Sequence, residues 1–372
     1  MVDYFVGLDV GQKATAICVI NGEGKKICEG MAVSHPRDIY GWLSNRVDTQ
    51  LQIRAGLEAG NMSSWLHQGL ADFGLDMLCM ETFQAHRFLA TFRNKTDKND
   101  ARGLAQLLRM GGEDFLKVVR IRSQVAQETR TLLSTRNHLV KLKVSLENHI
   151  AGILKPFGIL IQRGGVNHET FRTRVLTGLN EAHLLGVRLK PTLLPSLDLY
   201  KSICLQIKPL TKRVTDMAND ITQTKRFMAI PGVGPVTALS FYAAVDNPER
   251  FKKSTDVGAY FGLTPQRHQS GEMDYDKGIS RRGDPATRRA LVTAATVLLS
   301  TTGNWCSLKA WGIRLAKRIG FSKARIAVAR KLAVIMHKMW IHNDKFRPTN
   351  ISVSEARALK GVPIPPTHEN AV

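Results

Sequence analysis

Acidic side chains are scarce in this sequence of 372 residues. Asp and Glu number 31 against 53 Lys and Arg, leaving a formal charge of +22 and a pI near 10.1. A surplus of that size points to a polyanionic partner, most often nucleic acid. A membrane surface is the weaker reading, because the charge is spread along the chain rather than gathered in one cluster. Cysteine is sparse as well: Cys18, Cys28, Cys79, Cys204 and Cys306 are odd in number and form no CxxC pair. That spacing supports neither a disulfide framework nor a zinc ribbon, so the thiols read as buried and reduced. No apolar run is long enough to span a bilayer, and MVDYFVGLDV lacks the basic segment and cleavage site of a secretory leader. The expectation is a soluble, intracellular protein with no membrane contact.

The length allows two or three domains, and a hydrophobic content of 43% is ordinary for a globular chain. Apolar runs rich in β-formers (4–10, 14–20 and KKICEG after an NGEG turn) predict three antiparallel strands. Helical spacing at 38–47, a strand at 53–60, a helix from WLHQGLADFG and a strand at 75–81 follow. This order is that of a ribonuclease-H-like domain, assigned to residues 1–118. Beyond it, Val125, Leu132, Leu139, Leu142, Leu146 and Ile153, then Ile203, Ile207, Leu210, Val214, Met217 and Ile221, recur at heptad-like spacing. They predict two long helices, paired as an antiparallel hairpin or as an oligomeric coiled coil, with a kink at Pro209. The prolines and glycines of 155–196 predict an irregular linker between them. A helical coiled-coil middle (119–225), a mainly α C-terminal domain (226–345) and a loose Pro-rich tail (346–372) complete the expected architecture.

Carboxylates fall at informative places on this map. Asp9 ends the first strand and Glu58 the fourth, while Asp97 and Asp100 open a helix after the fifth, within RNKTDKNDAR. Neighbouring first and fourth strands would set Asp9 beside Glu58, with the i, i+3 pair on one helix face next to them. Four like charges at close quarters repel unless a cation lies between them. Oxygen-only ligands suit Mg²⁺ or Mn²⁺, and two such ions can serve the attacking and leaving oxygens of a phosphodiester. The bland alternative also stands: acids favour a helix N-terminus, Thr96 or Asp97 can cap it, an Asp after a strand is a common turn former, and Glu58 can pair with Arg54.

GLDVGQK, GLEAGN, RNKTDKNDARGLAQL, AIPGVGPVTA, FGLTPQRHQSG and GDPATRRALVTAA resemble, in that order, a family of bacterial insertion-sequence transposases and DNA invertases. These are the Piv-like, DEDD-type recombinases, some of them guided by a bridge RNA. The resemblance runs from residue 3 to about 342. It implies a RuvC-like domain joined through a coiled coil to a transposase domain. It makes Asp9, Glu58, Asp97 and Asp100 the metal-binding tetrad and Ser270 the nucleophile that forms a phosphoserine link to DNA. It implies donor and target DNA, a noncoding guide RNA and a homo-oligomer (dimer or tetramer) as partners, and a cytoplasmic, nucleoid-associated location. Where other members carry Ala-Lys after the first Asp, this chain has Gly11-Gln12-Lys13.

By itself Ser270 would not stand out, since Ser-Gly is most often a turn; Ser280, beside Arg281 and Arg282, is its rival. Residues 301–350 hold eleven Lys and Arg and one acid, Asp344. Candidate nucleic-acid contacts are Arg93, Lys95 and Lys98 around the acid pair, Arg267, Arg281, Arg282, Arg288 and Arg289, and Lys323, Arg325, Arg330 and Lys331 on one amphipathic helix. A solvated face is the plainer reading of that helix. The PGVGP turn reads either as a phosphate-binding hairpin or as a tight interhelical turn. The rival functions are a non-catalytic nucleic-acid binder and a RuvC-type junction nuclease that uses metal-activated water.

Overall fold

The first two strands are buried continuously through their middles, so the mixed sheet that they build carries a separate apolar layer on each face. The computed structural model describes residues 2–92, 94, 96–111, 115–162, 167–184, 188–270, 273–301 and 305–348. The chain divides into two compact units, Met1–Arg122 and Ser123–Val372. In the first, β1 (Tyr4–Val10), β2 (Ala14–Asn21), β3 (Lys26–Val33), α1 (Pro36–Ser44), β4 (Ile53–Glu58), α2 (Ser63–Ala71), β5 (Asp76–Met80), α3 (Thr82–Leu89) and α4 (Asp97–Met110) follow in order. The sheet order is β3-β2-β1-β4-β5. The first three strands are antiparallel, while β1–β4 and β4–β5 are parallel. Val6, Leu8, Ile17, Val19 and Leu57 face one core with Ile39, Leu43, Leu66 and Leu70 of α1 and α2. Ala16, Cys18 and Ile20 face α4 through Ala101 and Ala105, and α3 joins α4 around Met80, Ala85, Leu104 and Leu108.

Small residues set how closely α4 approaches the sheet. A Cβ on Gly7 would lie 2.0 Å from the Ala101 carbonyl oxygen and 2.5 Å from the Ala105 nitrogen, so the helix backbone rests directly on β1. Gly56 makes room for Leu108, and Gly103 makes room for Leu89 of α3. The glycines and alanines of GLDVG and DARGLAQL therefore do the packing, and their acids fall at the ends of β1 and α4.

The second unit contains α5 (Gln124–Leu154), α6 (His168–Leu184), α7 (Lys190–Asp220), α8 (Thr222–Phe227), α9 (Pro235–Val245) and α10 (Asp256–Tyr260). The hairpin strands β6 (Pro265–Ser270) and β7 (Met273–Ile279) follow, then α11 (Pro285–Ser300), α12 (Ser307–Ile319) and α13 (Phe321–Ile341). Helices α5 and α7 are antiparallel: Leu133 meets Val214 and Ala218 at one end, and Ile150 and Leu154 meet Leu193, Leu197 and Tyr200 at the other. The seam of α5 differs from the heptad expectation. Its buried residues are Ala126, Thr129, Leu133, Glu147, Ile150, Ala151 and Leu154, while Val125, Leu142 and Ile153 are exposed. The reason is that α5 packs on α9 as well as α7, which turns smaller and polar residues inward and which apolar spacing alone does not register.

The expected irregular linker is largely helical. Phe171, Val175 and Leu179 of α6 complete the core around Tyr200. Pro191 stands in the first turn of α7, where the ring costs no hydrogen bond, and the helix continues through Pro195 and Pro209. The main core gathers Phe227, Phe241, Phe261, Leu291, Leu298, Val328, Leu332 and Met336 from α8, α9, α11, α13 and the turn after α10. Trp305, Trp311 and Trp340 pack against it partly buried. Gly232 of PGVGP has φ +89°, and a Cβ there would lie 2.6 Å from the Ala294 carbonyl oxygen. That glycine serves close approach to α11, which matches the tight-turn reading.

Asp284 fastens α5 to α11. As the N-cap of α11 it accepts from the Ala286 amide at 3.0 Å and the Thr287 hydroxyl at 2.8 Å, and it receives Arg130 of α5 at 2.7 Å. Burial opposes its charge, but Thr287 and Arg130 outweigh burial and hold the carboxyl below its ordinary value. A depressed folded pKa means this contribution is present above the unfolded value near pH 4 and is lost as pH falls through the folded value. Asp284→Ala is expected to cost about 3 kcal/mol, since it strands a half-buried arginine and removes a cap. Urea titration at neutral pH should show the loss, and the gap to wild type should narrow below about pH 4. An unchanged midpoint would remove Asp284 from this role.

Candidate catalytic site

Register brings the first two acids level. Parallel pairing of β1 and β4 aligns Leu8 with Leu57, so Asp9 and Glu58 follow at the carboxyl ends of adjacent strands. From there the chain turns to β2 on one side, while β4 leads towards β5 on the other. Open α/β sheets place ligand sites at such a switch point. Beyond β1, the turn is pinned: Gly11 donates its amide to the Ala14 carbonyl at 3.1 Å. Ser34 donates its hydroxyl to the Gly11 carbonyl at 2.7 Å. Beyond β4, the Ala59 amide donates to the Met80 carbonyl at 2.9 Å, tying the ends of β4 and β5 together.

Close packing of α4 on β1 delivers the other two acids. Thr96 caps the helix by accepting from the Asn99 amide at 3.2 Å, which settles the choice between Thr96 and Asp97. Asp97 and Asp100 both stand in the first turn, where the helix dipole favours negative charge, and Asp100 is nearly buried. All four acids line a single cavity of about 550 Å³. As placed, they line its wall rather than meet at a point. Among the described residues, no three His, Cys, Asp or Glu side chains are close enough to ligate one ion together. The donor set is nonetheless all carboxylate oxygen, the chemistry that hard divalent cations take.

His86, Leu89 and Phe92 complete the wall from α3 and the turn after it. Sequence reasoning passed over His86. Its only signal was position, on a helix between the fifth strand and the acid pair.

The basic candidates divide into groups with different surroundings. Lys98 lies near Glu29 of β3, whose carboxyl is held below its ordinary value chiefly by a hydrogen bond from Lys26, with Lys98 and Arg102 adding to it. Arg93 and Lys95 lie outside the described residues. Arg288 donates to the carbonyls of Phe261 at 3.1 Å and Arg282 at 2.8 Å, so its guanidinium clamps backbone. Arg325 is half-buried, and its Nε has no acceptor among the described residues. Arg289 lines a cavity of about 220 Å³ with Lys141, His138 and the Arg130–Asp284 pair. Arg281, Lys323, Arg330 and Lys331 share a groove of about 790 Å³. Arg267 and Arg282 are exposed, on β6 and in the turn after β7. Ser270 is the last residue of β6, paired across the hairpin with Met273. Ser280 donates its amide to the Thr264 carbonyl at 2.9 Å, at the base of the same hairpin.

Two family models match successive parts of the chain. Residues 6–158 match the DEDD transposase model of the IS110 type, and residues 224–309 match the model described as "Transposase IS116/IS110/IS902 family". A transposase for insertion sequence element IS1111A of Coxiella burnetii is 31% identical over 258 residues, covering 68% of this chain and 69% of the relative. A putative transposase y4pF/y4sB of Sinorhizobium fredii is 28% identical over 68% of this chain and 65% of its own length. Another from that organism, y4rJ, is 25% identical over 90% and 91%. No helix among the described residues is long and apolar enough to cross a membrane. With both of its characteristic regions matched in order, the chain belongs to the IS116/IS110/IS902 family of transposases.

Proposed function

We propose that this transposase cuts and rejoins DNA through a phosphoserine link, with Asp9, Glu58, Asp97 and Asp100 as its metal-binding residues and Ser270 as its nucleophile. The observation that carries the reading is the shared cavity, where β1, β4 and α4 of a RuvC-like domain present four carboxylates. Mg²⁺ or Mn²⁺ held there would supply charge stabilisation to the attacking and leaving oxygens of a phosphodiester. The chain's own residues do the rest. The Ser270 hydroxyl loses its proton and attacks phosphorus; a backbone P–O bond breaks, and the departing DNA oxygen gains a proton. The new ester conserves the energy of the broken bond, so a DNA hydroxyl can later displace the serine without an external nucleotide.

Lys and Arg of the second unit hold the strands by their phosphates. The charge of +22 suits both DNA and a noncoding guide RNA, and the family resemblance supports a homo-oligomer on donor and target.

Incubation of the protein with labelled donor DNA and Mg²⁺, resolved under denaturing conditions, should give a protein–DNA adduct that chelation prevents and Ser270→Ala abolishes. Metal-dependent cuts without an adduct would replace serine chemistry with metal-activated water. Binding with neither product would leave a non-catalytic binder.

A further inference from the structure

The groove at the base of the β6–β7 hairpin has a composition that phosphate binding alone does not require. Its floor is apolar, built from Leu263, Ile279, Ile326 and Val334, with Trp311 of α12 at its side. Its rim carries Arg281, Lys323, Arg330 and Lys331, and among the described residues no acid lines it. Among the described residues, none of these four cations is paired with a carboxylate.

Several of these groups are seated in advance. Arg281 has φ +54°, a left-handed backbone that a non-glycine residue adopts at a cost. Surrounding backbone holds it there. Its amide donates to the Gly262 carbonyl at 3.3 Å. A Cβ on Gly262 would lie 2.4 Å from the Arg282 carbonyl oxygen, and one on Gly283 would lie 1.9 Å from that of Tyr260. The segments FGLTP and SRRGD thus cross in contact, with Arg288 bonded to both. The stem of Arg330 lies against Gly258, where a Cβ would approach its Cγ to 2.9 Å. Lys331 Nζ stands 5.9 Å from the centre of the Trp311 ring. Cations held before a ligand arrives lose less freedom on binding.

We infer that this groove receives an unpaired nucleotide of the DNA substrate, its base on the apolar floor beside Trp311 and its flanking phosphates on the four rim cations. A paired duplex presents phosphates but no free base face, so it would leave the floor empty. A free phosphate would use the rim alone. An extruded or single-stranded base uses both, and the volume lies within the range of small-ligand pockets. The groove abuts the base of the hairpin, and Ser270 ends the first strand of that hairpin one strand length away, opposite Met273. The inference rests on the DNA-recombination reading.

Binding should be measured with the full chain in chelator, where no cutting occurs, so the result does not depend on the tetrad or on Ser270. The probes are a single-stranded DNA oligonucleotide containing 2-aminopurine, the same sequence as blunt duplex, and the same sequence as RNA. Ala327→Phe and Val334→Phe each fill the floor from α13 without altering charge. Each is expected to weaken single-stranded DNA by about tenfold, the worth of one stacked base, and to erase the 2-aminopurine signal, with duplex affinity and melting temperature unchanged. Arg330→Gln with Lys331→Gln should flatten the log–log salt slope for single strands by roughly 1.4. Single-stranded affinity that survives both fillings in folded protein would overturn the groove assignment while leaving recombination untouched. A loss confined to RNA would overturn the DNA assignment. Failure to bind any of the three probes would instead strike the recombination reading itself.

Discussion

Asp9→Asn, given Mg²⁺ and donor DNA, is expected to cut strands on the order of 10³-fold more slowly than wild type, equivalent to about 4 kcal/mol of transition-state stabilisation. Asparagine keeps the volume and one oxygen of the original side chain but removes its charge, so the substitution addresses chemistry rather than packing. Its position supports that separation. Asp9 is held in place by the backbone pairing of β1 with β2, in register from Tyr4 to Val10, which the side chain does not influence. The loss should be large because Asp9 is one of only four carboxylates on the cavity wall, and removing its charge weakens the field that any cation in the cavity would feel. Nucleic-acid affinity should be preserved, since the basic groove and the Arg289 cavity belong to the second unit. Strand cutting and filter binding measured side by side test both halves. Cutting at the wild-type rate would remove Asp9 from the catalytic set.

Gly7→Ala adds one methyl group and should cost about 3 kcal/mol, lowering the melting temperature by roughly 10 °C. The added carbon would meet the Ala101 carbonyl oxygen at 2.0 Å and the Ala105 nitrogen at 2.5 Å. Both are main-chain atoms of α4, so no side-chain rotation relieves the clash and the helix itself must lift from β1. Gly56→Ala provides the comparison. Its added carbon meets only the tips of Leu108, nearest at 2.7 Å, and a flexible side chain gives way at a cost of about 1 kcal/mol. Lifting α4 also moves the turn that carries Asp97 and Asp100, so Gly7→Ala should lose cutting as well as stability. Thermal melts of the three proteins, with cutting measured well below the transition, test the argument. Equal melting of Gly7→Ala and wild type would show that α4 does not rest on β1 as described.

Strand order and the positions of the acids at element ends were legible because they depend on local chemistry. Short apolar runs rich in β-formers mark strands, glycine turns mark their ends, and Thr96 followed by acids marks a helix start. Prolines misled at 155–196, because their meaning depends on where they fall in a helix: at its first turn Pro191 costs nothing. The hairpin β6–β7 escaped notice because PQRHQS and MDYDKGI show no clean alternation of apolar and polar residues.

The sequence by itself determined the excess of positive charge, the strands of the first unit and its helices other than α3, and the four acids at the ends of those elements. These follow from residue type and short-range spacing. Tertiary structure alone decided that Asp9 and Glu58 stand level, that His86 joins their cavity, that Arg288 clamps backbone, and that four cations ring an apolar floor. Those outcomes depend on strand register and on glycine contacts between segments far apart in the chain. A side chain's neighbours across such a contact are set by packing, which no local pattern records.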